Sequence, residues 1–307
     1  MIFSVQARVD TASKVDPSDG RSLWQDSRTR FLRNHAAIGS AVLLLLICLY
    51  ALLAPVASGW SGEAIDWNVL GDVQSKGRPS METGHLFGTD ELGRDIFVRT
   101  AMGTRVSLMV GVFGALVAVI VGTFYGAVSG YIGGVTDSVM MRIVDILMSI
   151  PFMFVLILLL MVFGRSVILL FVGIGLVSWL DMARIVRGQT LSLKQAEFVE
   201  HAVVTGISPL MIIGRHIIPN LLGVVVVYAT LLVPNMILYE SFISFLGLGV
   251  QEPNTSLGAL INSGASQMQY GTLWQIGFPL FFFISTLLGF FFVGDGLRDA
   301  LDPRDDQ

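Results

Sequence analysis

Charged side chains are scarce in this sequence. Only 14% of its 307 residues are Asp, Glu, Lys or Arg, whereas 53% are hydrophobic and the mean hydropathy is +0.72. Soluble domains carry about 25% charged residues, so a water-soluble enzyme of this length would lack the polar side chains that cover a surface. The composition therefore predicts a membrane protein. The net charge of −4 gives nucleic-acid binding no electrostatic support.

Cysteine, lysine and histidine are also rare. The single cysteine, Cys48, lies in an apolar run. A disulfide framework or a cysteine-based zinc site needs more than one cysteine, so both are excluded. None of the three lysines follows a glycine-rich phosphate loop, which excludes ATP binding of that kind. The four histidines are scattered, and the metalloprotease and nucleophile-elbow motifs are absent. We therefore expect no catalytic residue, no metal site and no cofactor in this chain.

Stretches without Asp, Glu, Lys or Arg indicate where the chain crosses the membrane. A spanning helix needs about 20 mostly apolar residues, and six stretches reach that length once the fourth is extended past Asp181, which has the spacing to pair with Arg184. The predicted fold is all-α, with six transmembrane helices at 36–57, 106–130, 140–163, 167–186, 219–247 and 274–294. With both termini inside, 13 of the 19 Lys and Arg residues fall on the cytoplasmic side, which favours that orientation.

This topology divides the chain into segments, none of whose soluble parts is large enough for an independent catalytic domain. They are a cytoplasmic N-terminal segment 1–35, a first transmembrane helix 36–57, an extracytoplasmic loop 58–105, a five-helix core 106–294 with a cytoplasmic loop 187–218, and a cytoplasmic tail 295–307. Within the extracytoplasmic loop, Asp90 and Arg94, like Asp95 and Arg99, have the spacing of helical ion pairs. We expect an interfacial helix there, before the second span.

The cytoplasmic loop carries helix start and stop signals. Ser192 and Gln195 have the spacing of a capping box, which predicts a helix over 193–205. Gly206 suits the left-handed residue that ends a helix, and Pro209 suits the first position of a second helix leading to the fifth span. The first helix has an apolar stripe formed by Phe198, Val199, Ala202 and Val203. This stripe could rest on lipid or fill a groove in a partner, and its spacing alone does not choose between these.

Polar residues inside the predicted spans have two possible roles. Glu240 lies in the fifth span, and ionisable groups in a membrane usually face the protein interior or water. Together with Asn235, Ser241 and Ser244 it could line a translocation path, or it could be capped near the outer interface. Asp145 in the third span has the spacing to form a structural ion pair with Arg142. A face of small residues for close helix packing is predicted on the second span, formed by Gly122, Gly126 and Gly130.

The segment from Glu200 to Pro219 resembles the E-A-A-x-x-x-G-x9-I-x-L-P signature of permease subunits of ABC importers. Glu200, Ala202, Gly206 and Pro219 match at the signature's spacing. The departures are His201, His216 and Ile218. Further segments, in the same order along the chain, are similar to dipeptide and oligopeptide permeases: 87–95, 130–145, 244–258 and 294–303. Residues 20–26 are similar to the C-type subunit of the oligopeptide branch, so the resemblance covers nearly the whole chain.

The resemblance implies a C-type permease subunit of an oligopeptide ABC importer, with the type I permease fold, in a bacterial inner membrane. It implies as partners a homologous B-type permease, two cytoplasmic ATPases that bind ATP and Mg, an extracytoplasmic peptide-binding protein, a peptide substrate and membrane lipid. The segment around Glu200 would be the coupling helix that contacts one ATPase. The contact residues it implies are Glu197, Phe198, Val199, Glu200, Ala202, Val203, Gly206 and Pro219.

Two other classes of protein are weaker interpretations. A stand-alone, ion-coupled secondary transporter often shows internal repeats, and we see no convincing repeat here. An intramembrane enzyme would need a nucleophile and base that the sequence does not offer. The charged extracytoplasmic loop could help dock a binding protein, although a solvated surface explains most of its charges equally well.

Overall fold

The computed structural model describes residues 23–164 and 166–301, and expectations that fall on other residues, such as the start of segment 20–26, lie outside that part. Secondary structure in the described part is helical apart from two isolated β-bridges in the segment 65–95. The helices are α1 Leu23–Arg33, α2 His35–Ala57, α3 Val73–Lys76, α4 Ile96–Ile132, α5 Gly134–Met148, α6 Phe152–Phe163, α7 Val167–Leu193, α8 Glu197–Val204, α9 Pro209–Ile212, α10 Ile218–Phe245, α11 Leu257–Gln267 and α12 Trp274–Leu301. The all-α prediction is confirmed.

Five continuous helices are long and apolar enough to cross a membrane, and the bent pair α5–α6 makes a sixth candidate. Several run past the predicted boundaries. Helix α4 begins at Ile96 instead of residue 106, where the carboxylate of Asp95 caps it by accepting the Val98 N–H at 2.8 Å. Helix α7 continues to Leu193, well beyond the predicted end at 186.

The third span is broken, and the prediction of one helix over 140–163 was wrong. Helices α5 and α6 meet at an angle of 76°. The break coincides with Pro151, which disfavours helical backbone at the residue before it and stands at the N-cap of α6. The predicted apolar run contains this proline, but a prediction based only on the absence of charged residues does not detect the break.

Small residues let α4 and α7 pack with their backbones in contact. A Cβ atom added to Gly122 would lie 2.6 Å from the Cβ of Met182, and one on Gly130 would lie 2.9 Å from the carbonyl oxygen of Arg187. Gly126 faces the carbonyl of Ala183 in the same way. The three glycines therefore lie along the α4–α7 crossing. Beside them lies a buried core that α10 completes, formed by residues such as Val110, Ala118, Leu170, Ile174, Met236 and Ile237.

The first span joins the core through aromatic rings at its extracytoplasmic end. Tyr50 of α2 stacks on Phe282 of α12 at 4.3 Å and donates a hydrogen bond of 2.7 Å to the carbonyl of Phe97. Phe87 stacks on Phe278 at 4.0 Å and meets Phe97 edge-on. Aromatic pairs of this kind contribute about 0.5–1.5 kcal/mol beyond their buried area. They fix α2 against α4 and α12.

Candidate coupling surface and polar sites

The loop predicted to be cytoplasmic folds into a short helix between two sharp turns. Helix α8 starts at Glu197, four residues later than predicted, because Ser192 belongs to the last turn of α7 and does not act as a cap. At its other end, Gly206 has a φ of +78°, the left-handed conformation the sequence predicted. The Ile207 N–H donates to the Ala202 carbonyl at 3.1 Å and the Gly206 N–H to the Val203 carbonyl at 3.0 Å. These two hydrogen bonds form a Schellman motif, which ends the helix.

The predicted apolar stripe of α8 divides between two faces. Val199 and Ala202 are 1% and 5% exposed and pack into the protein, whereas Phe198 and Val203 are exposed. The buried pair joins a cluster, here called the inner cluster, formed by Ala127, Tyr131, Met182, Val186, Val199, Ala202, Ile212, Ile213, Ile217, Leu221 and Val225. Helices α4, α7, α9 and α10 contribute to it, so α8 is attached to several spans at once.

The exposed face of α8 is apolar and is flanked by carboxylate side chains. Val203 is 53% exposed and Val204 is 84% exposed. Leu210 and Met211, from the start of α9, extend this exposed apolar surface, and sequence reasoning missed them because they belong to the next helix. The exposed carboxylates are those of Glu197 and Glu200. We call this surface the coupling face.

The second helix of the loop continues into the fifth span. Helix α9 starts with Pro209 at its first position, as predicted, and one π-helical turn over Ile213–Ile217 joins it to α10. Pro219 follows at the start of α10 and is exposed. Because proline lacks an N–H, the widened turn before it accommodates the missing helical bond. Helix α9, whose first residues belong to the coupling face, is thus continuous with α10 and no loop separates them.

Two ion pairs join the C-terminal half of α7 to α5. Arg187 donates two hydrogen bonds of 2.6 Å to the carboxylate of Asp137, whose Oδ1 also accepts the Ser129 hydroxyl. Arg184 pairs with Asp145. The expectations that Asp145 pairs with Arg142 and that Arg184 pairs with Asp181 were therefore wrong. Both predictions paired two residues of the same helix, whereas each observed ion pair joins residues of two different helices.

Glu240 is held inside the chain by three serine hydroxyls. Ser107 of α4 donates to its Oε2 at 2.8 Å, Ser244 donates to Oε1 at 2.7 Å, and Ser241 donates to Oε2 at 3.2 Å. The Ser107 oxygen in turn accepts the first N–H of α11, from Leu257, at 3.3 Å. The exposures of Glu240, Ser241 and Ser244 are 0%, 5% and 3%.

The translocation path stays a prediction. Within this chain these three side chains are buried. Their contacts fit the alternative role, in which Glu240 is a capped carboxylate that joins α4, α10 and α11. The remaining candidate, Asn235, is half-buried, and its side-chain amide donates to the Leu231 carbonyl at 3.2 Å.

The segment 58–95 is folded around a buried histidine and is here called the outer cap, after its predicted extracytoplasmic position. His85 is 0% exposed, and its Nδ1 lies 2.8 Å from the carboxylate of Asp95, the residue that caps α4. Its Nε2 lies 3.4 Å from Asp66, and the indole of Trp60 stacks on it at 4.3 Å. The Asn68 N–H that donates to Asp66 is the main reason why the pKa of this carboxyl is lowered. The outer cap is thereby fixed to the start of the second span.

An arginine–carboxylate network joins the outer cap to the loop after α10. Arg99 and Arg94 each donate to the carboxylate of Glu252, at 2.8 and 2.9 Å. Arg94 also donates to Asp90 at 2.7 Å, but residues 90–95 form turns, so the predicted interfacial helix was wrong. Burial alone would raise the pKa of Glu252, but the two guanidinium groups outweigh it and lower that pKa. Burial raises the pKa of the neighbouring Glu91.

Comparisons with known proteins agree on one family. A model described as "Binding-protein-dependent transport system inner membrane component" matches residues 118–306, and one described as "N-terminal TM domain of oligopeptide transport permease C" matches residues 22–71. The chain is 59% identical, over 94% of its length and 93% of the relative's, to the oligopeptide transport system permease protein OppC of Escherichia coli K12. It is 41% identical to OppC of Bacillus subtilis, over 99% of this chain and 97% of that one. It is 35% identical to the glutathione transport system permease protein GsiD of Escherichia coli O6:K15:H31, over 97% of this chain and 96% of that one.

Proposed function

This chain belongs to the family of binding-protein-dependent transport system inner membrane components, and on that premise we propose that it is the C-type permease subunit of an ATP-driven oligopeptide importer. It is a multi-pass protein of the bacterial inner membrane. The oligopeptide assignment rests on the relatives named OppC and on the match of residues 22–71. The relatives give no support to an ion-coupled secondary transporter.

The observation that carries the coupling role is the division of α8 into two faces. Val199 and Ala202 anchor it in the inner cluster, while the coupling face, with Phe198 and Val203 at its centre, is left exposed. An exposed apolar surface rimmed by carboxylates is typical of a protein–protein contact. We propose that an ATPase groove covers this face, with Glu197 and Glu200 meeting basic groups at its rim.

The remaining partners follow from the same proposal. Two ATPases would bind ATP and Mg, so this subunit would be non-catalytic and would bind no cofactor of its own. A homologous B-type permease would supply the other half of the translocation path, and an extracytoplasmic binding protein would deliver the peptide. The asymmetry of Lys and Arg supports cytoplasmic termini, which puts the coupling face on the ATPase side and the outer cap on the binding-protein side.

A mechanism follows from the way α8 is attached. Closure of the ATPase dimer would move the coupling face, and the inner cluster would pass this movement to α4, α7 and α10 because α8 contributes buried side chains to it. The spans would tilt as a rigid body, and the path between the two permeases would open to the outside. Such coupling requires that α8 makes different contacts in the two states.

The proposal is tested by placing a charge on the coupling face. We expect Val203→Glu to reduce co-purification of the ATPases with the two permeases, and to abolish ATP-dependent peptide uptake in reconstituted vesicles. Gln189→Glu is the matched control, because Gln189 is exposed near the end of α7 but lies outside the coupling face, and it should leave both measurements unchanged. Wild-type ATPase binding and uptake by Val203→Glu would refute the coupling face.

A second variant tests the turn at the end of α8. Gly206 is left-handed but has open space around it, so Gly206→Leu meets backbone strain without a steric clash. We expect the complex to insert and assemble while ATP hydrolysis becomes uncoupled from transport. Normal peptide uptake at the wild-type cost in ATP would contradict this expectation.

A further inference from the structure

The connection between α7 and the coupling helix contains one lysine with a specific partner. Helix α7 ends at Leu193, and only residues 194–196 separate it from α8. The ammonium group of Lys194 donates a hydrogen bond of 2.6 Å to the carbonyl oxygen of Tyr131, in the last turn of α4. The same group lies 5.5 Å from the centre of the Tyr131 ring.

This contact satisfies a group that the helix itself leaves unpaired. The last four carbonyls of a helix lack an intrahelical partner, and the C-terminus carries a partial negative charge that attracts a cation. Helix α4 ends at Ile132, where Gly133 turns left-handed with a φ of +72°. Lys194 therefore contacts α4 at the point where a cation is most favourable.

The same end of α4 contacts α8 by a second route. Tyr131 is 8% exposed and belongs to the inner cluster together with Val199 and Ala202 of α8. Two residues earlier in α4, Ser129 donates to Asp137, which accepts two hydrogen bonds from Arg187 of α7. One turn of α4 therefore contacts the end of α7, the turn 194–196 and the start of α8.

We propose that Lys194 is a positioning residue for energy coupling, which holds the turn 194–196 on the C-terminus of α4 so that movement of α8 shifts α4. Without this bond, the turn would bend when an ATPase moves α8, and part of the movement would be lost before it reached the spans. The inference rests on the proposed function, since it assumes that an ATPase moves the coupling face.

The test compares variants of Lys194 in the complete reconstituted transporter. Lys194→Met keeps the aliphatic stem but removes the donor and the charge, whereas Lys194→Arg keeps both. Arg142→Met, which removes a cation from an exposed position of α5, is the matched control. We measure subunit stoichiometry after purification, ATP hydrolysis, peptide uptake and the peptide concentration at half-maximal uptake.

We expect Lys194→Met to assemble normally and to transport about five-fold fewer peptides per ATP, a factor that corresponds to ~1 kcal/mol, the net value of one hydrogen bond. The half-maximal peptide concentration should not change, and Lys194→Arg and Arg142→Met should couple as the wild type does. A purely structural role would instead lower assembly and leave the coupling ratio unchanged.

Three results would overturn the inference. They are a wild-type coupling ratio in Lys194→Met, failure of Lys194→Arg to restore the ratio, and loss of assembly in both Lys194→Met and Lys194→Gln. Where only Lys194→Met fails to assemble, Lys194→Gln decides by its coupling ratio. Failure of the proposed function would give a different result. In that case the coupling face would not be needed for ATPase binding, and Val203→Glu would bind the ATPases as the wild type does.

Discussion

Replacing Gly122 with alanine should destabilise the protein through the α4–α7 crossing. The added Cβ would lie 2.6 Å from the Cβ of Met182 and 2.7 Å from the carbonyl oxygen of Trp179, whereas ordinary contact begins at 3.4 Å. The two helices would have to separate by about 0.8 Å, the difference between 3.4 and 2.6 Å. One of the obstructing atoms belongs to backbone and cannot rotate away.

The magnitude follows from two opposing effects. Overpacking costs typically 1–3 kcal/mol, and a rigid backbone obstacle puts this site near the upper limit. Alanine gains back about 1 kcal/mol over glycine in a helix. We therefore expect a net loss of about 2 kcal/mol, which corresponds to a fall of roughly 4–8 °C in the thermal midpoint of a large domain.

The assay is thermal denaturation of the purified complex in detergent, with Gly188→Ala as the matched control. Gly188 is on the exposed side of α7, and an added Cβ there meets nothing within 4 Å. This control should melt at the wild-type temperature or slightly above it, because only the gain in helix propensity remains. A wild-type midpoint for Gly122→Ala would refute the close packing of these helices.

Three further predictions concern charged groups. The lowered pKa of Asp66, caused chiefly by the Asn68 N–H, means that its charge stabilises the outer cap above its ordinary pKa of 3.8 and that this contribution is lost as the pH falls below it. Melting curves from pH 7 to pH 3 should therefore show a smaller loss for Asp66→Asn than for the wild type, and equal losses would contradict this. Arg99→Met should cost about 2 kcal/mol in thermal melts, because its charge-assisted bond to Glu252 disappears, and an unchanged midpoint would count against the network. Glu240→Leu should cost about 3 kcal/mol or more by leaving three buried hydroxyls without their acceptor, and Glu240→Gln about 1 kcal/mol; equal melting of these two variants would show that the acceptor is unimportant.

The spans and the turn at Gly206 could be predicted because both depend on local chemistry. Long apolar runs have one stable environment in a membrane, and few residues other than glycine adopt a φ of +78° at a helix end. The boundaries of α4 could not be predicted in the same way. When charges are counted, Arg105 sets the edge of the predicted span and Arg99 lies outside it. Arg99 is nevertheless buried in α4, and its partner, Glu252, is 153 residues away in the sequence.

The position of the candidate site in the sequence could be predicted, but which of its side chains are buried and which are exposed could not. The apolar stripe of α8 and its acidic neighbours identify the helix, but its division into an anchored and an exposed face depends on side chains from α4 and α10. The role of Glu240 was ambiguous for a similar reason, because one of its three donors, Ser107, lies 133 residues earlier. Lys194 was also missed, since a lysine after a helix has no sequence signal that indicates a distant carbonyl.

The length of α4 has a thermodynamic consequence. Its 37 residues extend about 55 Å at 1.5 Å per residue, far more than the ~30 Å of a hydrocarbon core. One end is capped by Asp95 within the outer cap, and the other receives Lys194. In a bilayer the two ends of such a helix lie at opposite surfaces, so a change of tilt that one end favours also moves the other end. Because binding energies are reciprocal, a ligand on the outer cap that favours one tilt must change the affinity of any partner bound at the other end by the same factor as that partner changes the ligand's.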